Sequence, residues 1–268
     1  MVIKVLVENT AISDDCQTEH GLSLYIETGK FKLLFDMGAS GLFLENAGKL
    51  NVDIADIDFA VISHGHSDHG GGLRLFLQEN EKARVFVHHK AFDSHYALRT
   101  DDRVGFIGLD EELKHNKRLV LTGDRFLIDK GIEVFSNIRE RELYPSANQA
   151  LLMEKDDGIV EDTFEHEHNL IIHEDAKTML FTGCAHNGIV NIIRCFTDLE
   201  HRPADYVFGG FHLKNEPPEL VTQIGEYLKN TPSNYFTGHC TGLEPYHLLK
   251  AIMGEQLQYL TTGSVINI

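Results

Sequence analysis

Cysteine is scarce in this sequence of 268 residues, and its spacing excludes two kinds of cross-linked site. The four cysteines lie far apart, and no two of them form a Cys-x-x-Cys pair. Neither a zinc knuckle nor a dense disulfide framework is therefore expected. This usage is typical of a reducing compartment, so we expect a cytoplasmic protein.

Long apolar runs are also missing. No stretch approaches the roughly 20 apolar residues that a helix needs to span a bilayer. Residues 1–10 begin with alternating apolar side chains and run directly into polar ones, which predicts a strand rather than the core of a signal peptide. We expect no membrane partner.

Positive charge is in short supply. Only 24 Lys and Arg residues stand against 41 Asp and Glu residues, which gives a net charge of −17. Such a balance repels nucleic acid and anionic membranes, so a small molecule is the expected substrate. Histidine, in contrast, is abundant at 16 residues, and imidazoles and carboxylates are the ligands that divalent metal ions require.

Strand and helix patterns alternate along most of the chain. Residues 2–7, 22–27 and 31–35 have strand patterns, and apolar residues at helical spacing follow at 41–50. This alternation predicts a layered α/β fold, and the length permits one domain over residues 1–268. The pattern is weak from about residue 89 to 145, which we interpret as an insertion over the site.

Two pairs of candidate site residues have the same spacing. Asp36 and His64 follow two successive strands, and Cys184 and His212 follow two others, with an interval of 28 positions in each pair (64 − 36 and 212 − 184). Equal spacing is consistent with a duplicated unit or with chance. If the units are duplicated, ligand-type side chains from both halves converge at the strand ends.

The strongest chemical signal lies at residues 63–72, Ser-His-Gly-His-Ser-Asp-His-Gly-Gly-Gly. It holds four potential metal ligands after a buried strand: His64, His66, Asp68 and His69. The turn after the strand allows His64 and His66 to face one ion, while Asp68 and His69 face a second ion roughly 3.5–4 Å away. The flanking glycines permit the tight path that this turn needs.

This motif resembles the His-x-His-x-Asp-His signature of the metallo-β-lactamase superfamily. Asp36 matches the early aspartate of that family, which orients the metal loop from outside the ligand shell. Four further segments resemble a subfamily of metal-dependent hydrolases described as dihydropteroate-synthase-like: residues 19–23, 182–186, 209–212 and 238–242. The resemblance implies a four-layer αββα sandwich that holds two divalent metal ions. Zinc is the expected metal, with manganese or iron as alternatives.

The resemblance also extends the ligand set. His239 matches the last histidine of the family and would complete the second site with Asp68 and His69. Cys184 takes the bridging position that is usually aspartate, where a thiolate would suit zinc, although a buried, inert cysteine is the competing interpretation.

The third histidine of the first site departs from the family pattern. The usual place is occupied by Glu165-His166-Glu167-His168, whereas His186 lies two residues beyond Cys184. We favour His186, because Cys184 and His186 flank a turn as His64 and His66 do. His168 remains the alternative ligand, and a solvated strand entry is a further interpretation of the Glu/His run.

The expected function is metal-assisted hydrolysis of a small phosphorylated or ester-like substrate, in which Asp68 orients the nucleophile and His212 acts as acid or electrophile. Glu19 and His20 would line the mouth of the site. The subfamily name also implies a transferase that condenses a dihydropterin methyl diphosphate with an aminobenzene ribose phosphate. A non-catalytic metal-binding protein is a third possibility, which the intact ligand set disfavours.

The predicted insertion at 89–145 carries basic residues in an otherwise acidic chain. Arg99 and Arg103 are the candidates for a phosphate clamp, because a guanidinium group binds two oxygens at once. We therefore expect a substrate-selecting lid, against the alternative of a solvated insertion whose charges face water.

Overall fold

The computed structural model describes residues 1–99, 101 and 103–268. Over this part of the chain the α-helices are α1 (Leu42–Lys49), α2 (Ser67–Gly70), α3 (Leu73–Glu79), α4 (Ile189–Glu200), α5 (Pro218–Lys229) and α6 (Leu243–Met253). The strands are β1 (Val2–Val7), β2 (Ser23–Glu27), β3 (Lys32–Phe35), β4 (Phe59–Ile62), β5 (Arg84–His88), β6 (His95–Leu98), β7 (Val104–Phe106), β8 (Leu119–Thr122), β9 (Arg125–Asp129), β10 (Ile132–Phe135), β11 (Leu151–Lys155), β12 (Gly158–Glu161), β13 (Asn169–Glu174), β14 (Lys177–Phe181), β15 (Tyr206–Gly209), β16 (Asn234–Thr237), β17 (Leu257–Tyr259) and β18 (Val265–Asn267).

Two seven-stranded sheets share one pairing pattern. The first has the order β18-β1-β2-β3-β4-β5-β8, in which the pairs up to β3 are antiparallel and the pairs from β3 onward are parallel. The second has the order β9-β10-β13-β14-β15-β16-β17, antiparallel up to β14 and parallel beyond it.

This common pattern matches the duplicated spacing in the sequence. Strands β3 and β4 of the first sheet correspond to β14 and β15 of the second. Asp36 and His64 follow the first pair, as Cys184 and His212 follow the second. Because parallel neighbours end at the same edge of a sheet, each half delivers polar side chains to one edge.

Three apolar clusters separate four layers. Side chains of a strand alternate between its two faces, so Ala60 and Ile62 of β4 pack with α1 and α3, whereas Val61 points to the cluster between the sheets. In β14, Leu180 packs with α4, α5 and α6, while Phe181 joins the central cluster. The predicted αββα arrangement is therefore confirmed.

Residues 89–145, which were predicted as an insertion, contribute strands to all three sheets. Strands β6 and β7 form a small sheet with β11 and β12, in the order β12-β11-β6-β7. However, β8 is the edge of the first sheet, and β9 and β10 belong to the second. The edge strands β8 and β9 are partly exposed to solvent, with Leu121 and Leu127 at 42% and 64% exposure, so their apolar pattern is weak in the sequence, whereas β10 is buried.

Over the described residues, none of the helices combines the length and the apolar character needed to cross a bilayer.

Candidate metal centre

The candidate ligands follow the ends of parallel strands in both sheets. β4 leads into the metal loop, which we define as residues 63–69, and α2 begins inside it at Ser67. β14 leads to Cys184 and His186, and β16 leads to His239. The two edges approach closely at Gly183, where a Cβ would collide with Ser63 Oγ, so this position requires glycine.

Four donor atoms form the second cluster: Asp68, His69, Cys184 and His239. His69 Nε2 lies 3.1 Å from both His239 Nε2 and Cys184 Sγ, and Asp68 Oδ2 lies 3.3 Å from His239 Nε2 and 3.8 Å from His69 Nε2. A tetrahedral zinc ion at about 2.0–2.3 Å from its ligands holds them about 3.3–3.8 Å apart. The measured separations of 3.1–3.8 Å lie within or just below this range, so shifts of a few tenths of an ångström would let the four donors hold a tetrahedral cation.

Hydrogen bonds fix the histidines of this cluster. His69 Nδ1 donates to Asp36 Oδ2 at 2.7 Å, and His239 Nδ1 donates to Asn9 Oδ1 at 3.0 Å, so both Nε2 lone pairs face the cluster. Burial alone would lower the pKa of His69, but Asp36 and Asp68 outweigh it and raise that pKa to about 9. The position thus favours a positive charge, which a metal ion supplies.

Cys184 completes this cluster through a thiol that is buried. Burial, reinforced by the neighbouring Cys240, raises the pKa of Cys184 well above its ordinary value. A thiol becomes a metal ligand as a thiolate, and a cation at this position stabilises that form.

The first cluster is a triangle of imidazoles. The ring centroids of His64, His66 and His186 lie 4.6–4.9 Å apart. All three rings are buried, and their Nε2 atoms have no hydrogen-bond partner within the described part of the chain. Burial, the largest cause, lowers the pKa of each well below its ordinary value, which leaves the neutral form that binds metal.

His186, rather than His168, lies at this triangle. His186 Nδ1 is fixed by Asn148 Oδ1 at 3.0 Å, and its Nε2 has no hydrogen-bond partner among the residues that the structure describes. His168 Nε2 instead bonds to Thr122 Oγ1 at 2.8 Å, and its ring packs beside His88. The geometry therefore favours His186 as the third ligand.

The Glu/His run near His168 is not a solvated strand entry. His166, Glu167 and His168 are at most 1% exposed. Glu167 accepts hydrogen bonds from the backbone N–H groups of His186 and Asn187 at 2.6 and 2.9 Å. Glu167 therefore holds the backbone of His186, whose ring belongs to the first cluster.

A cavity of about 500 Å³ opens onto both clusters. His20, Arg99 and His212, which were predicted as site residues, line it together with Lys214 and Cys240, which were not. The His212 ring lies 4.3 Å from that of His186, and His212 N donates to Cys240 Sγ at 3.3 Å.

Two expected lining residues lie elsewhere. The Glu19 carboxylate accepts hydrogen bonds from Ala39 N, Ser40 N and Ser40 Oγ, so it holds the loop before α1 and does not line the cavity. Arg103 is 82% exposed and pairs with Asp101 at 2.7 Å. Glu19 is therefore corrected to a loop-holding residue, and Arg103 to a surface residue.

A buried group of side chains beside the metal loop was not predicted from the sequence. His95, Asp162 and His166 lie next to His66, and their donor atoms together fall within 4.8 Å of one another. His95 is wholly buried and comes from the small sheet. No regular spacing links these positions to the motif, although the Glu/His run was a partial signal.

We predict that His186→Ala removes metal from the first cluster, because loss of a direct ligand costs more than the roughly 10–100-fold in affinity typical of outer contacts. His168→Ala should lower the thermal stability, since it empties a buried site, yet keep the wild-type metal content. Elemental analysis after dialysis measures both. If His168→Ala loses metal while His186→Ala keeps it, the ligand assignment is reversed.

The comparisons with known proteins agree with this geometry. The family model of the metallo-beta-lactamase superfamily matches residues 17–192. An uncharacterized protein of Methanocaldococcus jannaschii is 32% identical over 273 residues, covering 100% of both chains. A 7,8-dihydropterin-6-methyl-4-(beta-D-ribofuranosyl)-aminobenzene-5'-phosphate synthase of the same organism is 29% identical over 265 residues, covering 93% of this chain and 90% of that one.

Solved structures give the same result. A metal-dependent hydrolase of the beta-lactamase superfamily superposes with a TM-score of 0.86 at 27% identity, over 100% of this chain and 99% of the other. Zn(2+)-bound PqqB from Methylobacterium extorquens shares the fold, with a TM-score of 0.62 at 11% identity and 100% coverage of both. This chain belongs to the metallo-β-lactamase superfamily.

Proposed function

We propose that this protein is a two-metal hydrolase that acts on a small, anionic phosphorylated or ester-like substrate. The observation that carries the proposal is the cavity of about 500 Å³ that opens onto both ligand clusters, because it gives a substrate direct access to them. The full-length similarity to a solved metal-dependent hydrolase supports the reaction class.

The metal ions, when bound, would activate a water molecule and neutralise charge on the departing oxygen. Asp68 is suited to orient that water, because its carboxylate is 21% exposed at the cavity and its pKa is held well below the usual range by His69 and His239 against the effect of burial. His212 lies on the cavity wall, where it can give a proton to the leaving oxygen.

The proposed hydrolysis is a simple displacement at phosphorus or at a carbonyl carbon. The water oxygen bonds to the phosphorus or carbonyl carbon, and the bond from that centre to the leaving oxygen breaks. The proton from His212 ends on the leaving oxygen, and His212 recovers a proton from solvent as the attacking water releases one.

Two cations on the wall support an anionic substrate. Arg99 and Lys214 both line the cavity, in a chain with a net charge of −17. Because acidic surfaces repel anions, a local pair of cations can recruit a phosphorylated ligand. Arg99 can bind two phosphate oxygens at once, whereas Lys214 acts as a point charge.

Transfer is the second candidate function. The synthase of Methanocaldococcus jannaschii is similar over nearly the whole chain, and its name describes a dihydropterin joined to an aminobenzene ribose phosphate. In such a reaction a dihydropterin methyl diphosphate would lose diphosphate to the aminobenzene partner. The same cavity cations would then hold the diphosphate.

The two reactions are separated by their products. We expect the metal-loaded protein to release nitrophenol from bis(p-nitrophenyl) phosphate. On an alkyl phosphodiester, whose leaving oxygen needs a proton, His212→Asn should lower kcat by about 10²–10⁴-fold at unchanged metal content, as loss of a general acid does. An unchanged kcat on the alkyl ester would show that His212 is not the general acid. Diphosphate release that requires both the pterin diphosphate and the aminobenzene ribose phosphate, without ester hydrolysis, would establish transfer instead.

Alanine variants of Arg99 and Arg103 form a matched pair that tests whether the substrate is anionic. We expect Arg99→Ala to raise KM for a phosphorylated substrate about 10-fold or more, because a charged hydrogen bond contributes about 1.5–3 kcal/mol. Arg103→Ala should keep the wild-type KM, since Arg103 faces solvent. Steady-state kinetics and elemental analysis check both variants, and equal KM values would show that Arg99 does not bind substrate.

A further inference from the structure

A buried carboxylate lies between the small sheet and the first metal cluster. Asp162, which follows β12, has a side chain with no solvent exposure. Its Oδ2 accepts from His95 Nδ1 at 2.8 Å and from His166 Nε2 at 3.2 Å, and its Oδ1 accepts from Phe164 N at 2.7 Å. We call these four residues, with Gly65, the Asp162 network.

The proton positions in the network follow from one backbone contact. Gly65 N–H donates to His166 Nδ1 at 2.9 Å, so that nitrogen carries no proton. The neutral ring must then hold its proton on Nε2, where it meets Asp162. Asp162 therefore selects the tautomer of His166 that can accept the hydrogen bond from Gly65.

The same atoms do not form a third metal site, although their clustering with His66 suggests one. A metal on His166 Nε2 would need the ring proton on Nδ1, where the Gly65 N–H already points. The separations of 2.8 and 3.2 Å from Asp162 Oδ2 are also hydrogen-bond distances, and His66 Nε2 stands farther off at 4.0 Å. The group is a hydrogen-bonded support.

We propose that Asp162 is the positioning residue of the first metal cluster, acting on the metal loop through His166 and on His186 through Phe164. The first path runs from Asp162 to His166 and on to Gly65, which lies between the ligands His64 and His66. The inference rests on the proposed metal centre but not on the reaction that it catalyses.

The second path is a stack of rings. Asp162 Oδ1 holds the backbone of Phe164, whose ring lies 4.5 Å from that of His186 at an interplanar angle of 9°. Phe164 has a positive φ of 52°, a conformation that a bulky residue adopts only when its surroundings enforce it. One carboxylate thus orients both sides of the imidazole triangle.

The network also joins the cluster to the small sheet. His95 lies in β6 and Asp162 directly follows β12, so two strands of that sheet meet at this carboxylate. Ala97, Arg99 and Leu151 from the same region line the cavity. The small sheet therefore contributes both to the cavity wall and to the hydrogen bonds that support the first metal cluster.

Asp162→Asn is the direct test, because an amide cannot replace this carboxylate. Three N–H groups point at Asp162, and asparagine offers one oxygen and one NH₂ group. The NH₂ group would face a donor and disrupt a contact. Glu161→Gln is the matched control, because Glu161 precedes Asp162 in the chain and its side chain is exposed.

Competition with a zinc chelator measures the affinity of each of the two zinc-binding steps separately. We expect Asp162→Asn to weaken the zinc step of the first cluster by about 10–100-fold, with the other step and the Glu161→Gln variant unchanged. Loss of hydrolysis with wild-type zinc affinities would refute the positioning role and leave the proposed function open. Weakened zinc binding without any hydrolase activity in the wild type would refute the function alone.

Two replacements of His166 keep the proposal testable if Asp162→Asn does not fold. His166→Asn keeps an acceptor near Nδ1 for Gly65, whereas His166→Gln keeps a donor near Nε2 for Asp162 but loses that acceptor. We expect the Gly65 amide to exchange with D₂O faster in His166→Gln than in His166→Asn, by NMR. Equal exchange rates, or the reverse order, would overturn the proposed path to the metal loop.

Discussion

Imidazole nitrogen atoms and a sulfur atom converge at short range at the candidate metal centre. His69 Nε2 and His239 Nε2 are 3.1 Å apart, and hydrogen bonds at both Nδ1 atoms direct their lone pairs toward each other. Lone pairs at this distance repel unless a proton or a cation lies between them. These donor atoms are therefore placed to hold a positive charge between them.

The fold satisfies this constraint by using two similar sheets. Each sheet changes from antiparallel to parallel pairing at one strand, β3 or β14, and the polar residues follow the parallel strands. The central apolar cluster packs the two sheets together, with the ring centroid of Phe35 in the first sheet 6.0 Å from that of Phe181 in the second. Because packed interiors deform little, the donor atoms are fixed by the scaffold before any ligand binds.

The parts of the fold that the sequence predicted are those with a local signal. Helix α1 and strands β1, β2 and β3 could be placed from their apolar periodicity. The metal loop could be predicted because its four ligands are contiguous and need only one turn to converge. The edge strands β8 and β9 could not be assigned, because part of each is exposed to solvent and their apolar pattern is interrupted.

The support of the site was much less predictable. His95 and Asp162 meet only because β6 pairs with β11 and β11 with β12, which is a long-range consequence of the small sheet. Glutamate is common in active sites, but the Glu19 carboxylate instead accepts hydrogen bonds from the backbone of Ala39 and Ser40. Residue type thus indicates the available chemistry, whereas the tertiary contacts decide where it is used.

The number of metal ions per chain tests this account most directly. The protein is purified without chelators, dialysed against metal-free buffer, and measured by inductively coupled plasma mass spectrometry against protein concentration. The two donor clusters predict close to two transition-metal ions per chain. A value near one, with spectroscopic evidence that His69 and His239 bind no metal, would contradict the two-metal centre.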